Sequence, residues 1–105
     1  MARLIKIIYK HQAVLDIRQT QEYIAQTLGN KKAAQKLVAS ILKAISLLEE
    51  NPMMGISMEA RFEKNFYTFF CSRQAFGFYE ISEDNMLSIL RVLDGQQDYL
   101  AILFG

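Results

Sequence analysis

The chain contains one cysteine, one proline, one histidine and no tryptophan in 105 residues. A lone cysteine, Cys71, excludes an internal disulfide and fits a reducing compartment. It has no adjacent histidine or lysine motif to lower its pKa, so it reads as a packing residue. The one histidine, His11, stands where the first helix should begin. It has no neighbour suggesting catalysis and reads as a surface residue. Metal-ligand spacing, a Gly-rich phosphate loop and a Ser-His-Asp pattern are all missing, so no metal or cofactor is implied. No apolar run approaches the roughly 18 residues of a membrane span. The N-terminal run Leu4 to Tyr9 is short and broken by Lys6, unlike a signal peptide. A large excess of either charge is also missing. The net charge is +1 and the pI about 7.8, far from the footprint of a strong nucleic-acid binder, which sits above about 9.

What is present is a core. Hydrophobic residues make up 51% of the chain, too many for a disordered segment. The length suits a single domain over 1–105, expected in the cytoplasm. Charge is unevenly spread. Residues 1–60 carry eight Lys/Arg against five acids, and residues 61–105 carry four against six. Basic surface therefore belongs mostly to the first part.

Residues 3–9 have the β-branched alternation of a strand. Residues 12–28 read as a helix, with Val14, Ile17, Ile24 and Leu28 on one face and Gln21 interrupting it. Gly29 suits the position just past its end. Asn30 caps a second helix over 31–50. Its stripe is Ala34, Leu37, Val38, Ile41, Leu42, Ile45 and Leu48. Asn51-Pro52 ends that helix, because proline disfavours α geometry in the residue before it. The short link Leu28-Gly29-Asn30 makes the two helices an antiparallel hairpin.

Residues 52–65 read as irregular. Met53, Met54 and Met58 lie there around Gly55, either packing the loop onto the core or forming an adaptable surface. Strands follow at about 66–72, 75–82 and 86–93, joined by the short polar links Ser72-Arg73-Gln74 and Ser82-Glu83-Asp84-Asn85 as hairpins. The fold class is α+β, in the order β-α-α-β-β-β, with a helical hairpin packed on one face of a mainly antiparallel sheet. The order of strands in that sheet stays open.

The tail is the most informative stretch. Ile89-Leu90-Arg91-Val92-Leu93 runs into Gly95 and Gln97-Asp98-Tyr99. Polar groups at the end of a core strand are held rigidly and remain partly exposed, so the tail is a natural place for a site. Together with Tyr23-Ile24, Asn51-Pro52, Gly55, Arg61, and Phe78-Tyr79-Glu80-Ile81 with Glu83-Asp84, it resembles the RelE/ParE family of bacterial toxins of type II toxin-antitoxin modules. The resemblance spans nearly the whole chain. Each motif is weak alone; their order and spacing make it specific. It implies a small growth inhibitor, neutralised in a hetero-oligomer by an antitoxin encoded beside it. The family holds two mechanistic classes. RelE-like members cleave mRNA in the ribosomal A site, and ParE-like members inhibit DNA gyrase. The fold does not choose between them.

A metal-independent ribonuclease needs a base, cations around the phosphorane and an acid for the leaving oxygen. In the RelE-like class these resemble lysines on the first strand after the helices, an arginine on the next strand and basic, histidine or tyrosine residues after the last. This chain has Tyr67 and Phe69, then Phe76-Gly77-Phe78, then Gln96 and Gln97 at those places. Glutamine can hydrogen-bond a phosphate but brings no charge. The residues left for a catalytic site are Arg73, Arg91 and Tyr99, with Tyr79 and Arg61 beside them. Each also has a structural reading. Arg91 could pair with Asp94 or Asp98 or lie at the sheet edge. Arg73 could be a solvated turn cation, Tyr99 a tail anchor, and Arg61 a loop pin. The missing cations favour a ParE-like protein-binding inhibitor over an enzyme. Candidate residues for target or partner binding are Arg61, Arg91, Gln97 and Tyr99, with Lys31 and Lys36 on the second helix. Lys31, Lys32, Lys36 and Lys43 suit an acidic partner, or form an ordinary solvated helix face. A third possibility is a non-toxic remnant that still binds the antitoxin.

Overall fold

A computed structural model describes residues 5–58, 66–71, 75–82 and 84–94. Strand β1 is Lys6–Tyr9 and helix α1 is His11–Glu22, continued by a π-helical turn at Tyr23–Thr27. Helix α2 is Lys31–Glu50. Strands β2 to β5 are Ile56–Ser57, Tyr67–Phe70, Ala75–Ile81 and Met86–Asp94. They form one sheet in the order β1-β5-β4-β3-β2. The pairs β5/β4, β4/β3 and β3/β2 are antiparallel. The pair β1/β5 is parallel, with Ile7 opposite Leu87 and Ile8 opposite Ser88.

The architecture follows the sequence expectation with one added strand. Ile56 and Ser57 pair with Thr68 and Tyr67 inside the stretch expected to be irregular. Two residues are too few to show an alternation, so no pattern announced them. The strand expected over 66–72 is confined to Tyr67–Phe70, with Phe66 and Cys71 flanking it.

The hairpin link forms as its residues dictate. Gly29 adopts φ +65°, a conformation glycine reaches without strain. The Asn30 N–H donates to the Ile24 carbonyl at 3.1 Å, closing the end of the first helical segment. The Asn30 side chain then accepts from Ala33 N–H at 2.9 Å and caps α2. The α2 stripe buries Ala34, Ile41, Ile45 and Leu48 against the sheet, with Leu37 packed beside them. Leu42, expected in that stripe, is exposed.

Helix α1 departs further. Its inward row is Ala13, Asp16, Ile17, Thr20 and Ile24, and Leu28 is 59% exposed at the hairpin tip. A carboxylate therefore occupies the middle of a face expected to be apolar.

The charges of α2 oppose its own dipole. Lys31 and Lys32 stand at the positive N-terminal end and Glu49 and Glu50 at the negative C-terminal end; the first turn holds no acid and the last turn no base. Each such placement costs about 0.3–1 kcal/mol at a solvated helix end.

Two apolar clusters pack the sheet. The larger joins Ala13, Ile41, Ile45 and Leu48 of the helices to Phe69, Tyr79, Leu87, Ile89 and Val92 of the strands. The smaller gathers Met58, Phe66, Phe78 and Leu93. Phe78 alternates with Tyr79 along β4, so this second cluster lies on the sheet face opposite the helices. Of the three loop methionines, Met58 joins the core while Met53 and Met54 are exposed. Among the described residues, no helix is long and apolar enough to cross a membrane.

Candidate functional site

Of the candidate site residues, Arg91, Lys31 and Lys36 lie within the described residues. Arg61, Arg73, Gln97 and Tyr99 lie outside them, as do Gln96 and Asp98 of the tail.

Arg91 does not lie at the sheet edge, because β5 runs between β1 and β4. Among the described residues its partner is Asp16 of α1; Asp98 and the Asp94 side chain lie outside them. Arg91 Nε donates to Asp16 Oδ2 at 2.7 Å and Nη2 donates to Oδ1 at 2.9 Å. The Val92 N–H adds a third bond to Oδ2 at 3.1 Å, and Gln12 Nε2 approaches Oδ1 at 3.4 Å. The Asp16 side chain is 6% exposed and that of Arg91 21%. Both carboxylate oxygens are thus satisfied in a nearly dry setting, the condition under which a buried carboxylate can stay charged. The hydrogen bond to Asp16 is the main reason the Arg91 pKa is raised above its ordinary value; desolvation opposes it and the Asp16 charge reinforces it. A bulge helps to place the arginine. In the β4/β5 register Phe78 faces Arg91 while Tyr79 faces Ile89, leaving Leu90 as the extra residue immediately before Arg91. Bulges of this kind re-aim the side chains beside them.

Tyr79 has a structural role. Its ring has no exposed surface. The hydroxyl donates to the Pro52 carbonyl at 2.7 Å and accepts from the Gly55 N–H at 3.0 Å. Burial is the leading cause of its raised pKa, partly offset by the Gly55 bond. This tyrosine ties the loop after α2 to the middle of the sheet. A Cβ at Gly55 would stand 2.5 Å from the Tyr79 hydroxyl, so only glycine fits there.

The places where RelE-like members are expected to carry lysines and an arginine hold packed aromatics instead. Tyr67 stacks on Tyr79 with ring centroids 5.1 Å apart, and Phe69 meets Tyr79 edge-on at 5.5 Å. Gly77 faces Phe69 across β3/β4, and a Cβ there would fall 2.2 Å from the ring. Phe78 is buried against Phe66. Among the described residues, these strands present apolar packing and the Asp16–Arg91 pair rather than a cluster of cations. No group of three His, Cys, Asp or Glu side chains among them is placed to hold a metal ion.

Lys31 and Lys36 are exposed on α2, with Lys32 and Lys43. His11 is exposed at the start of α1, and Cys71 is buried.

Comparison with known proteins adds the lineage. The chain is similar in structure to a chain of the chromosomal ParDE toxin-antitoxin system of P. aeruginosa, with a TM-score of 0.72 and 15% identity, over 89% of this chain and 98% of that one. A chain of the toxin-antitoxin complex RelBE2 from Mycobacterium tuberculosis gives a TM-score of 0.65 at 15% identity, over 88% of this chain and 99% of that one. At such identities the likeness concerns the fold. No curated protein matches the chain by sequence. The family model for the ParE toxin of the type II toxin-antitoxin system parDE matches residues 7–99, from β1 through the tail. By that match the chain belongs to the ParE toxin family of type II toxin-antitoxin systems, within the RelE/ParE fold.

Proposed function

We propose that this toxin acts in the cytoplasm as a protein-binding inhibitor of DNA gyrase, without catalysing a reaction, and that an antitoxin encoded beside it holds it inactive. The observation that carries this reading is the commitment of Arg91. The guanidinium that a phosphoryl-transfer site would need is engaged two-fold by the Asp16 carboxylate, which cancels its charge locally. The aromatics on β3 and β4 support it, because Tyr67, Phe69 and Phe78 are spent on packing. The ParE family match supports it too.

The alternative is a RelE-like ribosome-dependent mRNA endonuclease using Arg73, Arg91 and Tyr99. The two separate in arrested cells. Induced expression should stop growth, and co-expression of the adjacent gene's product should restore it. Under the gyrase reading, plasmid DNA from arrested cells is relaxed or cleaved and mRNA is intact. Truncated mRNA with normal plasmid topology sinks that reading and supports the nuclease. Unimpeded growth points instead to an inactive antitoxin-binding remnant.

A further inference from the structure

We infer that the outer face of the helical hairpin docks an acidic, amphipathic segment of the antitoxin, with a row of lysines as its electrostatic rail. This rests on the antitoxin reading above and names the surface and the chemistry.

The first observation is a one-sided charge run. From Tyr23 through Leu48 the chain holds four lysines and no Asp or Glu. In a protein of net charge +1 this concentrates positive charge on α2 ahead of Glu49 and Glu50. The second is their placement. Lys32, Lys36 and Lys43 follow one row of α2 at spacings of four and seven residues, opposite the buried Ala34, Ile41, Ile45 and Leu48. All are exposed, and so is Lys31. None of the four has an ion-pair partner among the described residues. The third is the apolar complement. Tyr23 and Leu28, both more than half exposed, precede Lys31 on the hairpin, and Leu42 is exposed on α2 about a quarter-turn from the lysine row.

The fourth observation is the opposition to the helix dipole. Lysines at the N-terminal end destabilise α2 and add to the positive field already there. Residues that cost stability without repaying it inside the fold are expected where a surface serves binding.

Together these features select the occupant. Exposed tyrosine and leucine on the same hairpin as the lysines suit a segment with apolar and acidic side chains, which orders as it binds. A phosphate backbone would use the charge and leave the apolar residues in water. The pI of about 7.8 also argues against nucleic acid.

The test uses the full chain and the purified product of the adjacent gene as probe. The variant Lys31→Gln/Lys32→Gln/Lys36→Gln/Lys43→Gln removes the charge while keeping helix propensity. Its melting temperature should not fall, because two cations leave the wrong end of the dipole. Its affinity for the probe at about 0.15 M salt should drop roughly tenfold or more, as four screened charge contacts are lost. Wild-type affinity should fall with added salt more steeply than the variant's. Arginine at all four positions should restore binding and its salt slope; failure of that rescue would count against the charge argument. Equal affinity and equal salt slope in wild type and glutamine variant overturn the docking face alone. No binding by the wild-type chain overturns the antitoxin reading with it. Lysine-dependent binding to a random-sequence DNA duplex, with probe affinity unchanged, assigns the face to nucleic acid and also overturns the inference.

Discussion

Asp16 and Arg91, 75 positions apart, close the α1/β5 interface through two charge-assisted bonds of 2.7 and 2.9 Å. Arg91→Ala leaves the Asp16 carboxylate nearly buried with the Val92 N–H as its main remaining donor. That should cost about 3 kcal/mol, the low end for a buried pair because a fifth of the Arg91 side chain is exposed. Asp16→Leu with Arg91→Met, which removes both charges, should recover most of the loss. Urea midpoints of the single and double variants measure this. An unchanged midpoint for Arg91→Ala would show that the pair does not brace the fold. The consequence for function is direct. Loss of toxicity in Arg91→Ala cannot be assigned to a missing active-site cation unless the variant is shown to be folded.

The Tyr79 hydroxyl and Gly55 should behave as one unit. Tyr79→Phe orphans the Gly55 N–H and the Pro52 carbonyl and should cost about 1–3 kcal/mol. Gly55→Ala pushes a methyl group into the hydroxyl and the ring edge, and should cost about as much through overpacking. In the Tyr79→Phe background Gly55→Ala should cost less, because the closest atom is gone. Thermal melts of the four proteins test this; strict additivity would contradict the contact.

Stability should decline in alkali. Burial raises the Cys71 thiol from its ordinary 9.0 to about 12. Between those values the unfolded chain has lost this proton while the folded chain keeps it. Stability therefore falls as pH rises, by up to about 1.4 kcal/mol per pH unit from this group. Tyr9 and Tyr79, both raised chiefly by burial, act in the same direction at higher pH. Cys71→Ala should be less stable at neutral pH but lose less between pH 9 and 11. Equal slopes in wild type and variant would contradict the buried thiol. In the native protein Cys71 should also resist alkylation at neutral pH and react on unfolding.

The parts of the fold legible in the sequence are those with strong punctuation. Asn30 and Pro52 bracket α2, and every expected stripe position inside it is buried or half-buried except Leu42. The parts that were not legible depend on distant partners. Asp16 looks like a polar position on an amphipathic helix until Arg91 arrives from β5. A carboxylate three residues from Ala13 and next to Ile17, in a chain with one arginine on its last core strand, was the available signal. Leu28 looked like a core residue by spacing, but the π-helical turn changes the phase after Glu22 and the chain reverses at Gly29, leaving Leu28 exposed at the tip. Tyr79 resembled a site residue because its hydroxyl's partners, Pro52 and Gly55, lie more than twenty positions upstream.

The central claim is that the protein inhibits gyrase by binding and does not cut RNA. The most direct measurement incubates purified toxin, in parallel, with gyrase and relaxed plasmid and with ribosomes programmed by a defined mRNA. The account predicts blocked supercoiling or accumulated cleavage complexes in the first reaction, reversed by the adjacent gene's product, and intact mRNA in the second. Normal supercoiling together with mRNA cut at the ribosomal A site would contradict it.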